Sequence, residues 1–186
     1  MPGIIYAHIG EATSHLGQDD STAVYYERAL ESEIPRAMRR EIVEELALVY
    51  RRLGEVDKAV AHLESAYEMA TYAVHRARLM YEIGETLRQA GQEEEAIERY
   101  RQVMEAHPED NSAYLSLVAL IDMDVTDIDP IRRAIIDYHA EQFGITRDLL
   151  EGYLESSEAD AADENDVATA YLFLGLANRQ LNEWDA

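Results

Sequence analysis

Carboxylate and imidazole side chains are the residues of this sequence whose type and spacing could do chemistry. Four aspartates fall within one short stretch, at Asp122, Asp124, Asp127 and Asp129. Hard cations such as Ca²⁺ prefer several oxygen ligands, but the ligand spacing and the glycine of an EF-hand loop are absent here. The cluster is therefore interpreted as a solvated acidic loop rather than as a metal site.

Two histidines, His8 and His15, could share one face of a helix, but no third zinc ligand accompanies them. The sequence has no glycine-rich phosphate loop, no nucleophile elbow and no HExxH motif. Paired carboxylates arise by chance among 38 acidic residues. The sequence therefore predicts no metal site, no cofactor and no catalytic residue, and we expect that the protein is not an enzyme.

The charge balance restricts the class of partner. The chain of 186 residues has 38 acidic and 16 basic residues, a formal net charge of −22, and Lys58 is its only lysine. Nucleic acid and anionic membranes are unfavourable partners, because both attract basic surfaces. A basic or neutral polypeptide is the expected partner. The negative charge of the chain would attract a basic polypeptide and would not repel a neutral one. The same composition is typical of a salt-adapted protein, or of a GC-rich genome.

The chain contains no cysteine, which excludes disulfides, thiolate catalysis and Cys-based zinc sites. No apolar run approaches the roughly 18 residues that span a bilayer, and the first residues do not have the pattern of a signal peptide. A cytoplasmic location is therefore expected. The sequence stops at Ala186 within a predicted helical hairpin, so a longer native protein is also considered.

An internal repeat organises the first part of the chain. Gly17, Gly54 and Gly91 are spaced 37 residues apart, each at a predicted turn between two helices. Small residues before and after each glycine would let the helices approach closely, and a large residue would fill the groove beside them. The glycine itself would end the first helix in a left-handed conformation. These three recurring positions are held by Gly10, Ala47 and Gly84, by Thr22, Ala59 and Ala96, and by Tyr26, Leu63 and Tyr100.

The segment from Met80 to Pro108 resembles the tetratricopeptide repeat family, since it carries Gly84, Gly91, Ala96, Tyr100 and Pro108 at that family's spacing. The resemblance implies an all-α fold, a right-handed solenoid of antiparallel helical hairpins. Such hairpins are apolar on two sides and must stack. It also implies a protein-binding scaffold whose first helices line a concave groove.

Three regular repeats are predicted for residues 1–110. A degenerate repeat plus an extra helix is predicted for residues 111–157, with Ala134 and Tyr138 in second-helix roles. An acidic loop that reaches Asp166 and the start of a further, truncated repeat are predicted for residues 158–186, with Asn182 in the glycine's place and a second helix from Trp184.

The resemblance assigns groove positions to the first helices, and these are Glu11, Ser14, Glu44, Leu48, Arg51, Tyr81, Glu85, Arg88 and Arg179. The three arginines share one register, so they would form a ladder that grips carboxylates or peptide carbonyls. Alternatively they are solvated side chains that complement the helix dipole. The aromatic side chain is either a binding anchor or packs between neighbouring first helices.

A subclass of the family binds acidic C-termini through Lys and Asn on first helices. The matching positions here are Ala7, Glu11, Glu45, Arg78 and Glu82, of which only Arg78 is basic. The sequence departs from that clamp, so a basic or neutral helical segment is the predicted occupant of the groove.

Two other functions remain open. The unfinished last hairpin would expose an apolar face, so the chain could be a self-assembling structural oligomer, with Tyr171, Leu174 and Leu181 as the predicted self-association face. It could also be the regulatory sensor module of a larger protein.

Overall fold

The computed structural model describes residues 2–156, 159 and 162–181. Within these residues the chain forms ten α-helices and no strand. The helices are α1 (Pro2–His15), α2 (Asp19–Leu30), α3 (Arg36–Leu53), α4 (Val56–Met69), α5 (Ala73–Gln89), α6 (Glu93–Ala106), α7 (Asn111–Asp122), α8 (Pro130–His139), α9 (Phe143–Leu154) and α10 (Glu164–Gln180). The predicted all-α fold of the helical-repeat solenoid class is confirmed.

The chain divides into two compact units, residues 1–99 and 100–186. In the first unit, α1 packs on α2, α2 on α3, α3 on α4 and α4 on α5. In the second unit, α9 packs against both α8 and α10. The three-part division at residues 110 and 157 stays a prediction.

The glycine turns of the repeat have the expected geometry. Gly17, Gly54 and Gly91 have φ angles of 68°, 75° and 77°. The residue after each glycine donates its N–H to a carbonyl oxygen five residues earlier, as Gln18 does to Thr13 at 3.0 Å. This bond closes a Schellman turn, which only a left-handed residue permits. The prediction that these glycines end the first helices is confirmed.

A further hairpin of the same geometry joins α8 to α9. Glu141 takes the glycine's position with a φ angle of 61°, and Gln142 donates its N–H to the carbonyl oxygen of Asp137 at 2.8 Å. The three recurring packing positions are fully buried here too, and they are held by Ala134, Thr146 and Leu150. Helix α8 is therefore the first helix of this hairpin and α9 its second, in contrast to the predicted pairing of α7 with α8.

Aspartates at the N-cap positions define where α8 and α10 begin. Asp129 accepts the N–H of Arg132 at 2.6 Å, so α8 begins at Pro130. Asp163 accepts the N–H groups of the second and third residues of α10, so this helix begins at Glu164, inside the predicted acidic loop. A side-chain oxygen at the N-cap satisfies N–H groups that have no partner within the helix. Residues 157, 158, 160 and 161 of that loop, and the positions Asn182 and Trp184, lie outside the described residues.

Each unit has its own apolar core. In the first unit, Leu46 and Val49 are fully buried among side chains of α1, α2 and α4. In the second, Leu150 is fully buried beside Ile131, Tyr153 and Phe173. Burying one such aliphatic side chain stabilises the fold by roughly 1.5–3 kcal/mol. These cores fix the first helices whose exposed faces carry the predicted groove residues.

One close approach in the first unit requires glycine. The ring of Tyr26 on α2 lies directly against the backbone of α1 at Gly10. A Cβ atom at Gly10 would lie 2.4 Å from Cδ1 and 2.6 Å from Cε1 of that ring. The small residue predicted at this position therefore allows a large one to pack opposite it.

Candidate partner-binding groove

The first helices α1, α3 and α5 carry the predicted groove positions. Within each helix these positions are one or two turns apart. On α1, Glu11 is exposed and Ser14 is half-buried, whereas Ala7, which the sequence pattern also mapped to the groove, is 5% exposed. A side chain so buried offers little surface to a partner.

Charged pairs join α3 to α5. Glu44 accepts a hydrogen bond from Arg78 at 2.7 Å, and its other oxygen lies 3.3 Å from Nε2 of His75. Two turns along α3, Arg51 donates to Oε1 of Gln89 at 3.1 Å. The structure therefore brings Glu44 and Arg51 onto the α5 side of α3.

An apolar side chain is exposed between these two pairs. Leu48 follows Glu44 by one helical turn and precedes Arg51 by about one turn, so the three lie on the same face of α3. Leu48 is 39% exposed. The groove face of α3 thus presents one leucine framed by polar groups that are already held in place.

The predicted residues of α5 also form a local cluster. Arg88 donates two hydrogen bonds, both 3.0 Å long, to the two carboxylate oxygens of Glu85. Tyr81 is half-buried one turn earlier. Its burial and the charge of Glu85 raise the pKa of the Tyr81 phenol, and the charge of Arg88 opposes them. The Arg88 guanidinium is hydrogen-bonded to Glu85 of its own helix, so a partner would have to bind the Arg88–Glu85 pair as a unit.

The remaining predicted residues lie at the end of the second unit. On α10, Arg179 is exposed and Tyr171 is 61% exposed, whereas Leu174 packs against the apolar core of that unit. Leu181 follows the helix and is half-buried. The roles of these residues in binding or self-association stay predictions.

A cavity of about 380 Å³ lies among α1, α2 and α3. Glu11 and Ser14 line it, together with further residues of all three helices. These are Ala7, His8, His15, Tyr26, Met38, Glu41, Ile42 and Glu45. Two predicted groove residues therefore lie at one site with a set of side chains that the sequence pattern did not single out.

The phenol of Tyr26 is in an acidic, buried environment within this cavity. Tyr26 is 5% exposed. Burial, with the nearby charges of Glu45 and Glu11, raises the pKa of its hydroxyl to about 12. Burial disfavours a phenolate, and neighbouring carboxylates add to that effect. The hydroxyl therefore keeps its proton throughout the physiological pH range.

A second cavity, of about 500 Å³, lies within the second unit. Four of its five charged lining residues already bond to other groups of the chain. Arg101 donates to Asp127 at 2.7 Å, and Arg132 donates to Glu105 at 3.1 Å. Asp129, also in the lining, is the N-cap of α8. Sequence reasoning did not predict this cavity, because most of its walls come from the irregular stretch that follows α6.

The aspartate cluster has structural roles in the described residues. Asp124 is the left-handed residue after α7, with φ 58°, Asp127 pairs with Arg101 and Asp129 caps α8. Across residues 2–156, 159 and 162–181, no group of three or more His, Asp or Glu side chains is arranged to hold a metal ion. None of the helices described is long and apolar enough to cross a membrane.

Stacked helical hairpins with polar, partly apolar first-helix faces define the class of helical-repeat scaffolds for protein interaction. Residues 39–109 match the family model of the tetratricopeptide repeat. The resemblance inferred from the sequence is confirmed.

Structural comparison finds similarity to three solved structures of MamA. The crystal structure of MamA protein has 14% identity and a TM-score of 0.54, over 100% of this chain and 96% of that one. MamA 41-end from Desulfovibrio magneticus RS-1 has 15% identity and a TM-score of 0.48, over 100% and 98% of the two chains. MamA MSR-1 C2 has 20% identity and a TM-score of 0.45, over 99% and 98%. The first shows a shared fold. No curated protein sequence matches the chain.

The sequence did not single out Tyr26, Glu41 and Glu45 as site residues. Tyr26 was assigned to packing, which is correct for its ring but overlooks its hydroxyl. Glu45 was considered only as a departure from the clamp, and Glu41 was one of many glutamates. The available signal was that Glu41 and Glu45 lie one turn apart on α3, beside Ile42.

Proposed function

We propose that the protein is a scaffold that binds a partner polypeptide along the first helices α1, α3 and α5. The observation that carries this proposal is the exposed Leu48, framed by the Glu44–Arg78 and Arg51–Gln89 pairs. Apolar side chains surrounded by ordered polar groups are the usual anchors of protein interfaces. The partner is expected to contribute an apolar side chain at Leu48 and polar contacts around it.

The charge of the chain supports a basic or neutral partner. A net charge of −22 attracts cationic surfaces and repels anionic ones. Two arginines of α5 do not counter this preference, because Arg88 is paired with Glu85 and Arg78 with Glu44. The partner is therefore expected to bind more weakly as salt is raised.

The test is affinity capture of partners from the native lysate by three forms of the protein. The groove variant Tyr81→Ala/Arg88→Ala removes one aromatic and one cation from the predicted site. The matched control Tyr72→Ala/Arg36→Ala removes the same two residue types from exposed positions outside the groove register. Thermal melts by circular dichroism verify that all three forms are folded.

A discrete polypeptide captured by the wild type and the control, but lost by the groove variant, supports the proposal. Capture by all three forms means that the groove assignment is wrong, although the scaffold function stands. If the protein recovers only itself, self-association becomes the leading function.

Self-association is a second candidate because the outer face of α10 is apolar. Tyr171 and Leu172 are 61% and 58% exposed on neighbouring positions of this helix. A second copy of the chain could cover them. Light scattering over a concentration series tests this function, with Tyr171→Glu as the disrupting variant. A mass that stays monomeric at every concentration contradicts it.

A further inference from the structure

The cavity among α1, α2 and α3 concentrates negative charge from two helices. Glu11 comes from α1, and Glu41 and Glu45 come from consecutive turns of α3. Glu11 lies 3.3 Å from Nδ1 of His8. Glu41 and Glu45 make no ion pair with any residue that the structure describes. Two carboxylates at this cavity are therefore without a cation of the chain's own.

Hydrogen bonding to Asp19 and the charge of Glu45 both raise the pKa of Arg52, but the guanidinium of Arg52 is bound to Asp19. Arg52 donates to both carboxylate oxygens of Asp19, at 2.6 Å and 3.0 Å. This bidentate pair holds the Arg52 guanidinium at the first turn of α2. Arg52 is therefore held by Asp19 and makes no ion pair with Glu41 or Glu45.

The Tyr26 hydroxyl lines the cavity and makes no hydrogen bond to another described residue. Tyr26 is 5% exposed, and its ring is fixed against the backbone at Gly10. Its hydroxyl oxygen is not one of the buried polar atoms left without a partner, so it is open to the cavity. The Tyr26 hydroxyl lines the cavity together with the carboxylates, so a ligand donor that enters the cavity can bond to its oxygen.

The walls of the cavity are apolar beside these acceptors. Ile42 is 4% exposed and Met38 is half-buried, and both line the cavity. An apolar wall with anionic groups beside it matches a side chain with an aliphatic stem and a cationic head. A divalent metal fits less well, since the described carboxylates do not converge as a ligand group.

We propose that this cavity binds an arginine side chain of the partner polypeptide, with the stem against Ile42 and Met38 and the guanidinium donating to Glu41, Glu45 and the Tyr26 hydroxyl oxygen. This inference rests on the proposed scaffold function. Arginine fits better than lysine because the acceptors come from different helices, and a planar guanidinium presents five N–H donors in several directions. Hydrogen bonds between charged groups are about twice as strong as neutral ones.

The probes are three blocked pentapeptides, Ala-Ala-X-Ala-Ala, where X is arginine, lysine or citrulline. Citrulline keeps the shape of arginine and removes its charge. Dissociation constants are measured by NMR titration of the full chain with ring-labelled tyrosine at pH 8. The Tyr26 signal is assigned from its loss in Tyr26→Phe.

The arginine peptide is expected to bind about threefold tighter than lysine and about tenfold tighter than citrulline, and to shift the Tyr26 signal. Tyr26→Phe removes only the hydroxyl and should weaken arginine binding by about threefold or more. Glu41→Gln/Glu45→Gln should weaken it by about tenfold. The control Glu31→Gln/Glu68→Gln changes the net charge equally at exposed positions elsewhere and should leave the affinity unchanged.

Equal weakening by the cavity and control pairs would show that arginine responds only to net charge, which overturns the proposal. Equal affinity for the arginine and citrulline peptides overturns it as well. These outcomes are separable from failure of the scaffold function. A partner that is lost by Tyr81→Ala/Arg88→Ala but kept by Glu41→Gln/Glu45→Gln preserves the scaffold and removes the arginine pocket.

Discussion

Replacing Gly10 by alanine should destabilise the first unit, although glycine to alanine changes inside helices usually stabilise. Helix propensity alone favours alanine by about 1 kcal/mol. The added Cβ would lie 2.4 Å and 2.6 Å from two ring carbons of Tyr26, well inside van der Waals contact. The ring cannot bend away, so α1 and α2 must separate, and overpacking of this kind costs about 1–3 kcal/mol. With the upper value, the net loss is about 2 kcal/mol.

Two further variants test whether the contact between Gly10 and the Tyr26 ring causes the expected loss of stability. Gly152→Ala lies in α9, where an added Cβ would meet nothing within 4 Å, so it should be neutral or stabilising. Gly10→Ala/Tyr26→Leu copies the pair that the second repeat uses at the same positions, Ala47 and Leu63, both of which are buried. This double variant should regain most of the stability lost in Gly10→Ala.

Urea unfolding followed by circular dichroism at 222 nm provides the free energies. A loss of about 2 kcal/mol corresponds to a fall in Tm of roughly 4–8 °C for a chain of this size. If Gly10→Ala gains stability as Gly152→Ala does, the close approach of Tyr26 to α1 does not restrict that position. If the double variant is no more stable than Gly10→Ala, the conflict between the added methyl and the ring is not the cause.

Three other outcomes follow from the backbone and the charges. Glu141→Gly should stabilise the α8–α9 hairpin by about 1 kcal/mol, because glycine removes the steric cost of a positive φ. The control Gln142→Gly, at φ −87°, should not stabilise it. Equal urea unfolding midpoints for these two variants would contradict this reasoning. Asp19→Asn should lower stability at pH 7 by at most about 1 kcal/mol, because hydrogen bonds from Arg52 hold the pKa of Asp19 below its ordinary value. A depressed pKa stabilises the fold above the unfolded value of about 3.9 and loses that contribution as the pH falls through the folded value. The thermal melts of Asp19→Asn and wild type should therefore converge towards about pH 3, and a gap that persists there would argue against the pair. If the net charge of −22 reflects salt adaptation, Tm should rise from low salt to molar NaCl as self-repulsion is screened, and a flat Tm would refute it.

The sequence predicted the fold wherever a residue type is required by the backbone. Glycine at Gly17, Gly54 and Gly91 marks a positive φ, and its regular spacing gave the first three hairpins. The α8–α9 hairpin was missed because Glu141 holds the same conformation without being glycine. Packing of α8 on α9 enforces a strained backbone there, and no local propensity reveals it.

The candidate site was predictable only in part. Glu11 and Ser14 were found because the repeat register places them on a first helix, and both line the cavity among α1, α2 and α3. Glu41 and Glu45 were hidden by composition, since glutamate is common in this chain and a pair on adjacent turns is unremarkable. What distinguishes them is the absence of a cation in the described structure around them, which depends on tertiary packing.

The Gly10–Tyr26 pair links the packing of the repeat to the proposed pocket. The same two positions hold Ala47 and Leu63 in the second repeat and Ala134 and Leu150 in the α8–α9 hairpin, all of them buried. An alanine opposite a leucine therefore satisfies the packing, and a tyrosine is not needed for it. A tyrosine adds a hydroxyl, and in the first repeat that hydroxyl lines an acidic cavity without a partner among the described residues. On this reasoning Gly10→Ala/Tyr26→Leu should retain the fold and weaken arginine binding by about threefold or more, as Tyr26→Phe does, which separates the two roles of Tyr26 in one protein.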